Sequence, residues 1–238
     1  VPRNYLDKKL KERKNWADST ILSLLGRLQE KGFLSCSKQG NRNLYMPLVS
    51  EEEYLAYEKA LYFGGGNGSY LRAWLLRSKF YRIWQYLRTL RHAEYHKNRI
   101  FGEADSGKIN SLWDKMAFFW YHRRKYVLGN RLGFEIPENC FEKGLLIYHI
   151  APIVVNEDAR IGEDCCIIGN FCVGNTGAGT KSPVLGKGIT AGWGSSVIGD
   201  VRVADGVTIG AGCVVVCDVI QKGVSVAGVP GKVLHLRK

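Results

Sequence analysis

The sequence lacks an apolar run of about 18 residues, which excludes a conventional membrane-spanning helix, and its opening residues, VPRNYLDKKLKERKNW, lack the apolar core of a secretory signal. It also lacks CxxC pairs and His-rich ligand spacing, which argues against a metal site. The seven cysteines (Cys36, Cys140, Cys165, Cys166, Cys172, Cys213 and Cys217) are odd in number, so they read as reduced core fillers, not as a disulfide framework. These absences set the expectation of a cytoplasmic protein without metal. The start at Val1, with no initiator Met, leaves open that the sequence is a piece of a longer chain.

What is present is apolar content of 45% in 238 residues, enough for a substantial core. The formal charge of +12 is unevenly spread. Residues 1–60 hold 11 Lys+Arg against 8 Asp+Glu, residues 61–130 hold 13 against 4, and residues 131–238 hold 10 against 10. The basic excess therefore sits mainly in the middle of the chain.

Within residues 1–60, NWADSTILSLLGRLQEKGFL places Ile21, Leu24, Leu25 and Leu28 on one helical face, behind an Asp18 or Ser19 cap and ahead of Gly32. FLSCSKQ, the turn GN and RNLYMPL then read as two short strands. This helix and basic wing resemble the penicillinase-repressor family of winged-helix regulators, without that family's first helix or its C-terminal dimerisation helices. The resemblance implies DNA contacts from Ser19, Thr20, Arg27, Lys38 and Arg42. The competing reading is a non-binding remnant joined to the rest by fusion.

GGGNGS, residues 64–69, reads as a flexible linker, so a domain boundary is expected at 61–70. Residues 71–130 read as a basic helical region in which aromatic residues (Trp74, Phe80, Tyr81, Trp84, Tyr86) interleave with arginines. Such a segment lies on an anionic membrane surface or nucleic acid, or simply packs its aromatics and solvates its charge.

Beyond His149 the chain repeats every six residues. Stepping from Val155 gives Ile161, Ile167, Val173, then Leu185, Ala191, Val197, Val203, Ile209 and Val215, all apolar. Small residues commonly follow these positions, and four residues after them come Ala159, Cys165, Ser195, Val201, Val207 and Cys213. An ordinary strand alternates with period two. A six-residue period with small corner residues predicts a parallel β-helix of three-sided coils over 131–238. The glycine-rich GNTGAGTKSPV breaks the pattern for two hexads and reads as a loop projecting from the coil.

GFEIPENCFEKGLLIYHIAPIVVNEDARIG, VIGDVRVADGVTIGAGCVVVCDV and VAGVPGK resemble the serine O-acetyltransferase branch of the hexapeptide-repeat acyltransferases. Upstream, LRTLRHAEYHKN and YHRRKYVLGNRLGFEIP are similar to short members found in polysaccharide biosynthesis, so the resemblance runs from about residue 80 to the end. It implies a mainly β fold with some α, a left-handed parallel β-helix preceded by helices and the partial winged-helix segment. It further implies acetyl-CoA as co-substrate, L-serine or a sugar as acceptor, and a homotrimer. His149 stands at the family's catalytic base. Phe134 aligns where that family carries an orienting carboxylate, with Glu135 and Glu138 as neighbours. Tyr148 and Ser182 stand at acceptor-loop positions where the cysteine-biosynthesis enzymes have Asp and His. The donor would lie along Ala191, Gly192, Gly210 and Ala211, with its nucleotide near Gly228 and Lys232. The chain has no tail beyond KVLHLRK, so no sulfhydrylase complex is expected. The alternatives are a sugar O- or N-acetyltransferase and, from another class, a DNA-binding regulator that uses the β-helix for oligomerisation.

Overall fold

A computed structural model of the protein describes residues 34–39, 42–47, 51–64, 67–101, 112–177 and 181–234. The helix expected around DSTILSLLGRLQEKG lies outside them. The chain divides into two compact units, Val1–Tyr54 and Leu55–Lys238. In the first, β1 (Leu34–Gln39) and β2 (Arg42–Pro47) pair antiparallel, with Gln39 opposite Arg42, which is the hairpin that GN turn chemistry demands.

The division into compact units falls at Tyr54, ahead of the boundary expected at 61–70. Helix α1 (Glu51–Phe63) already crosses the division, and α2 (Asn67–Leu75) begins three residues after Gly64, which adopts a φ of 61°. Phe63 and Tyr70 meet edge-to-face at 5.3 Å, and both contact Trp84 of α3 (Lys79–Phe101). Gly64 takes a positive φ at the end of α1, which glycine permits, and the contact between α1 and α2 could not be read from composition alone. Helix α4 (Leu112–Leu132) runs beside α3 and completes the helical layer.

The rest of the second unit is a parallel β-helix with three faces. The first face stacks β4 (Leu146–Ile147), β7 (Cys166–Ile167), β10 (Thr190–Ala191), β13 (Thr208–Ile209) and β15 (Ser225–Ala227), closed by an antiparallel β16 (Lys232–Leu234). The second stacks β3 (Phe134–Glu135), β5 (Ile153–Val155), β8 (Phe171–Gly174), β11 (Ser196–Ile198) and β14 (Val214–Val215). The third stacks β6 (Arg160–Ile161), β9 (Val184–Leu185) and β12 (Arg202–Val203). All ten residues of the six-step series are buried, as are the six small residues four places on. Coils two residues wide per face leave room inside for one apolar side chain per strand, and this is why the period is so strict. The excursion between Val173 and Leu185 advances the chain by one face, from the second to the third, although it spends two hexads doing so. It is therefore one lengthened corner.

The helical layer closes the open end of the prism. Ile83, Tyr86, Leu87 and Leu90 of α3 are fully buried in the same core as the coil interior. β4 is an edge strand, and its exposed backbone is covered: the Ile147 N–H donates to Tyr62 Oη at 2.7 Å. Arg91, also buried, donates to Glu58 and Glu94 at 2.8 Å each and to the carbonyls of Phe141 and Glu142 at 2.9 Å each. One guanidinium thus joins α1, α3 and the first coil, with its five donors filled.

Candidate active site

His149 lies on the corner between the first and second faces, after β4 and before β5. Two backbone hydrogen bonds fasten that corner to the next coil, from Tyr148 N to Ile167 O at 2.9 Å and from His149 N to Ile168 O at 3.1 Å. With the main chain so occupied, the side chains of Tyr148, His149 and Ile150 project outward and are exposed. The apolar run around His149 is therefore only partly a buried strand. Leu145 and Ile147 face the core, and the imidazole leaves the prism where the chain turns.

Among the described residues, two make a hydrogen bond or ring contact with the His149 imidazole. Trp193, on the same corner further along the prism, stands edge-on to it at 6.0 Å. Gly169 between them has no room for a side chain, since a Cβ there would come within 2.6 Å of the Trp193 ring. The other is Lys79, the first residue of α3, whose Nζ lies 3.3 Å from His149 Nδ1. An ammonium has hydrogens but no lone pair, so the ring must accept this bond at Nδ1 and carry its own proton on Nε2. Neither residue announces itself in the sequence. Lys79 is one of many basic residues and is 70 positions from His149; Trp193 has only the signal of a bulky aromatic between two glycines of a corner.

The neighbouring carboxylates lie elsewhere. Glu138 is buried and bonds to Lys125 Nζ at 2.6 Å, His122 Nδ1 at 2.8 Å and Lys97 Nζ at 3.5 Å. Burial pushes its carboxyl up, but the bond and charge of Lys125, with His122, outweigh this and hold it at about 2. Glu135 is exposed on β3 and lines, with Glu138, a cavity of about 790 Å³ beside α4. Among the described residues the hydrogen-bonding partner of the His149 ring is thus a cation, in place of the orienting carboxylate anticipated at Glu135 or Glu138.

Ser182 is buried, with Oγ donating to Asn156 Oδ1 at 2.8 Å, on the corner between the second and third faces. Within one chain it does not share the His149 corner, whereas Tyr148 does. Of the residues expected to hold a donor, Ala191 and Gly192 adjoin Trp193, and Gly210, Ala211 and Gly228 continue up the same corner, while Lys232 is exposed on β16. Gly192 also has a packing reason to be glycine, because a Cβ would lie 2.6 Å from Ala211 N and 2.8 Å from the Gly210 carbonyl carbon. Gly210 is looser, its closest neighbours standing at 3.2 Å. Buried thiols are inert fillers: desolvation pushes Cys140 up to about 11 and Cys165 up to about 12. Among the described residues no three His, Cys, Asp or Glu side chains come together as a metal site, and no helix is long and apolar enough to cross a membrane.

A parallel β-helix whose faces repeat every six residues, with a histidine presented at a corner, is the architecture of hexapeptide-repeat acyltransferases, and comparison with known proteins narrows the class. The chain is 32% identical over 131 residues to a serine acetyltransferase of Helicobacter pylori, matching 50% of this chain and 76% of that protein. It is 35% identical over 132 residues to a serine acetyltransferase of Synechococcus elongatus, matching 51% of this chain and 54% of the other. The chain therefore spans about half the length of this latter relative. A solved serine acetyltransferase in complex with CoA shares the fold at a TM-score of 0.57 and 19% identity, over 78% of this chain and 70% of that one. The chain belongs to the serine acetyltransferase family, with its left-handed β-helix. Residues 3–61 separately match a family model described as penicillinase repressor.

Proposed function

We propose that the protein is an acetyl-CoA-dependent O-acetyltransferase acting on the hydroxyl of L-serine, with His149 as general base. The observation that carries this reading is the presentation of His149 on a backbone-fastened corner, inside the block that resembles the serine acetyltransferases. Curated relatives are named serine acetyltransferases, and one structural neighbour was solved with CoA, which supports the same donor here. A charged, membrane-impermeant donor also goes with a cytoplasmic reaction.

The chemistry needs a lone pair on the imidazole, and Lys79 occupies the one at Nδ1 in the free protein. An acceptor carboxylate competes for that ammonium, because a charge-assisted bond to an anion is stronger than one to a neutral ring. When Lys79 turns to the carboxylate, Nδ1 becomes free to take the serine hydroxyl proton. The oxygen attacks the thioester carbonyl carbon, the C–S bond breaks, and the departing CoA thiolate takes the proton back from His149.

A second reading, a sugar acceptor, is favoured by one observation. Tyr148 and Trp193 are both exposed beside His149, and aromatic faces of that kind suit the apolar face of a sugar ring. The test for both is CoA release from acetyl-CoA, followed with a thiol reagent, for the wild type and His149→Ala, with L-serine and then a sugar panel. Serine-dependent release that falls at least about 100-fold in the variant supports the serine reading. Release only with sugars transfers the proposal to them, and release that survives in His149→Ala removes the base.

A further inference from the structure

Two adjoining hollows on the helical layer share Leu128 and Arg131 and so form one groove along α4, ending against α2. The larger part has a volume of about 660 Å³. Five arginines line the groove: Arg77, Arg82, Arg123, Arg124 and Arg131. No aspartate or glutamate lines it, and none of the five has an ion-pair partner among the described residues. Five uncompensated guanidinia converging on one hollow repel one another unless an anion lies among them.

The rim of this groove is apolar in a way that solvated helices are not. Trp74 and Leu75 border it from α2 and are 51% and 73% exposed; Phe119 and Trp120 of α4 are 70% and 52% exposed. Met116, Phe119, Trp120, Arg123 and Val127 recur at three- and four-residue spacing, so the apolar residues and the arginines occupy one helical face. Arg124 stacks on Trp120 at 5.1 Å, which tethers its charge to the apolar rim.

We infer that this face docks on an anionic lipid bilayer, with the arginines among the headgroups and Trp74, Leu75, Phe119 and Trp120 inserted at the acyl boundary. Charge decides against a second copy of the chain as occupant, because the same face turned on itself would set five arginines against five. Aliphatic Leu75 and Met116 decide against nucleic acid, since they have no face on which a base can stack. No described helix is able to span a bilayer, so the association is interfacial.

The experiment is cosedimentation of the full chain with vesicles of phosphatidylcholine alone and of phosphatidylcholine with 30% phosphatidylglycerol. Binding is expected to the anionic vesicles only, to weaken with salt, and to shift tryptophan emission to the blue. Replacing Arg123, Arg124 and Arg131 by Gln should lower partitioning on the order of 100-fold, from roughly fivefold per charge. Replacing Lys181, Lys187 and Lys222 of the prism by Gln changes net charge equally and should have little effect. Trp120→Ser is expected to weaken binding and reduce the emission shift. Equal losses in the two triple variants, self-association abolished by the arginine variant, or a stronger preference for a DNA duplex than for anionic vesicles would overturn the inference. So would an absence of vesicle binding by the folded wild type.

Discussion

An imidazole held by an ammonium is an unusual resting state for a general base, and Lys79 gives the acceptor a direct role in releasing it. If Lys79 Nζ moves from His149 Nδ1 to the carboxylate of the acceptor, acceptors with and without that carboxylate should respond differently to its loss. Lys79→Ala is expected to lower kcat/KM for L-serine by about 10- to 100-fold, the range of a charge-assisted bond. With L-serinamide, which lacks the negative charge that draws Lys79 off the ring, the variant should equal or exceed the wild type. Steady-state kinetics on both acceptors decides this, and equal losses would mean that Lys79 only supports the fold around α3. His149 was legible in the sequence because its neighbours carry a family pattern. Lys79 was not, because its meeting with His149 depends on how α3 closes the end of the prism. Glu138, a neighbour of the position where an orienting carboxylate was expected, is engaged by Lys125 and His122 of α4, a meeting that again depends on how the helices pack.

At the scale of elements, the six-residue period makes the strands readable, since every sixth side chain must fit the same narrow interior. Turns between helices leave no such periodic trace, and the contact between Phe63 and Tyr70 on either side of the glycine-rich stretch could not be read from composition. The corner glycines are the instructive case, because ligand approach and coil stacking demand the same residue. The two demands separate by substitution. Gly192→Ala forces a methyl group against the backbone of Gly210 and Ala211, so a loss on the order of 2–4 kcal/mol in urea unfolding is expected. Gly210→Ala meets its neighbours at 3.2 Å, and a few tenths of an ångström of adjustment should keep the cost near or below about 1 kcal/mol. If Gly210→Ala nevertheless raises KM for acetyl-CoA about tenfold, the donor lies along this corner. An unchanged KM in the folded variant would assign that glycine to packing alone.

For the whole molecule, the decisive fact is that the lengthened corner carrying Ser182 and the corner carrying His149 stand at opposite edges of the second face. A loop on one corner of a prism can approach the other corner only of a neighbouring prism, so a site that uses both requires at least two copies. Three-sided coils associate most simply by three-fold packing, and exposed Val154, Val184, Val216 and Ile220 supply apolar surface for it. Light scattering is expected to give three times the chain mass of 26.7 kDa. The stronger test mixes two inactive proteins, His149→Ala and a variant in which residues 176–181 of the loop are deleted, by unfolding and refolding them together. If each site takes its base from one copy and its loop from another, mixed trimers contain some intact sites, and activity should return to a fraction of wild type that neither parent reaches. Trimers that mix yet stay inactive would confine the site to a single chain, and Ser182 would then be a structural partner of Asn156 and nothing more.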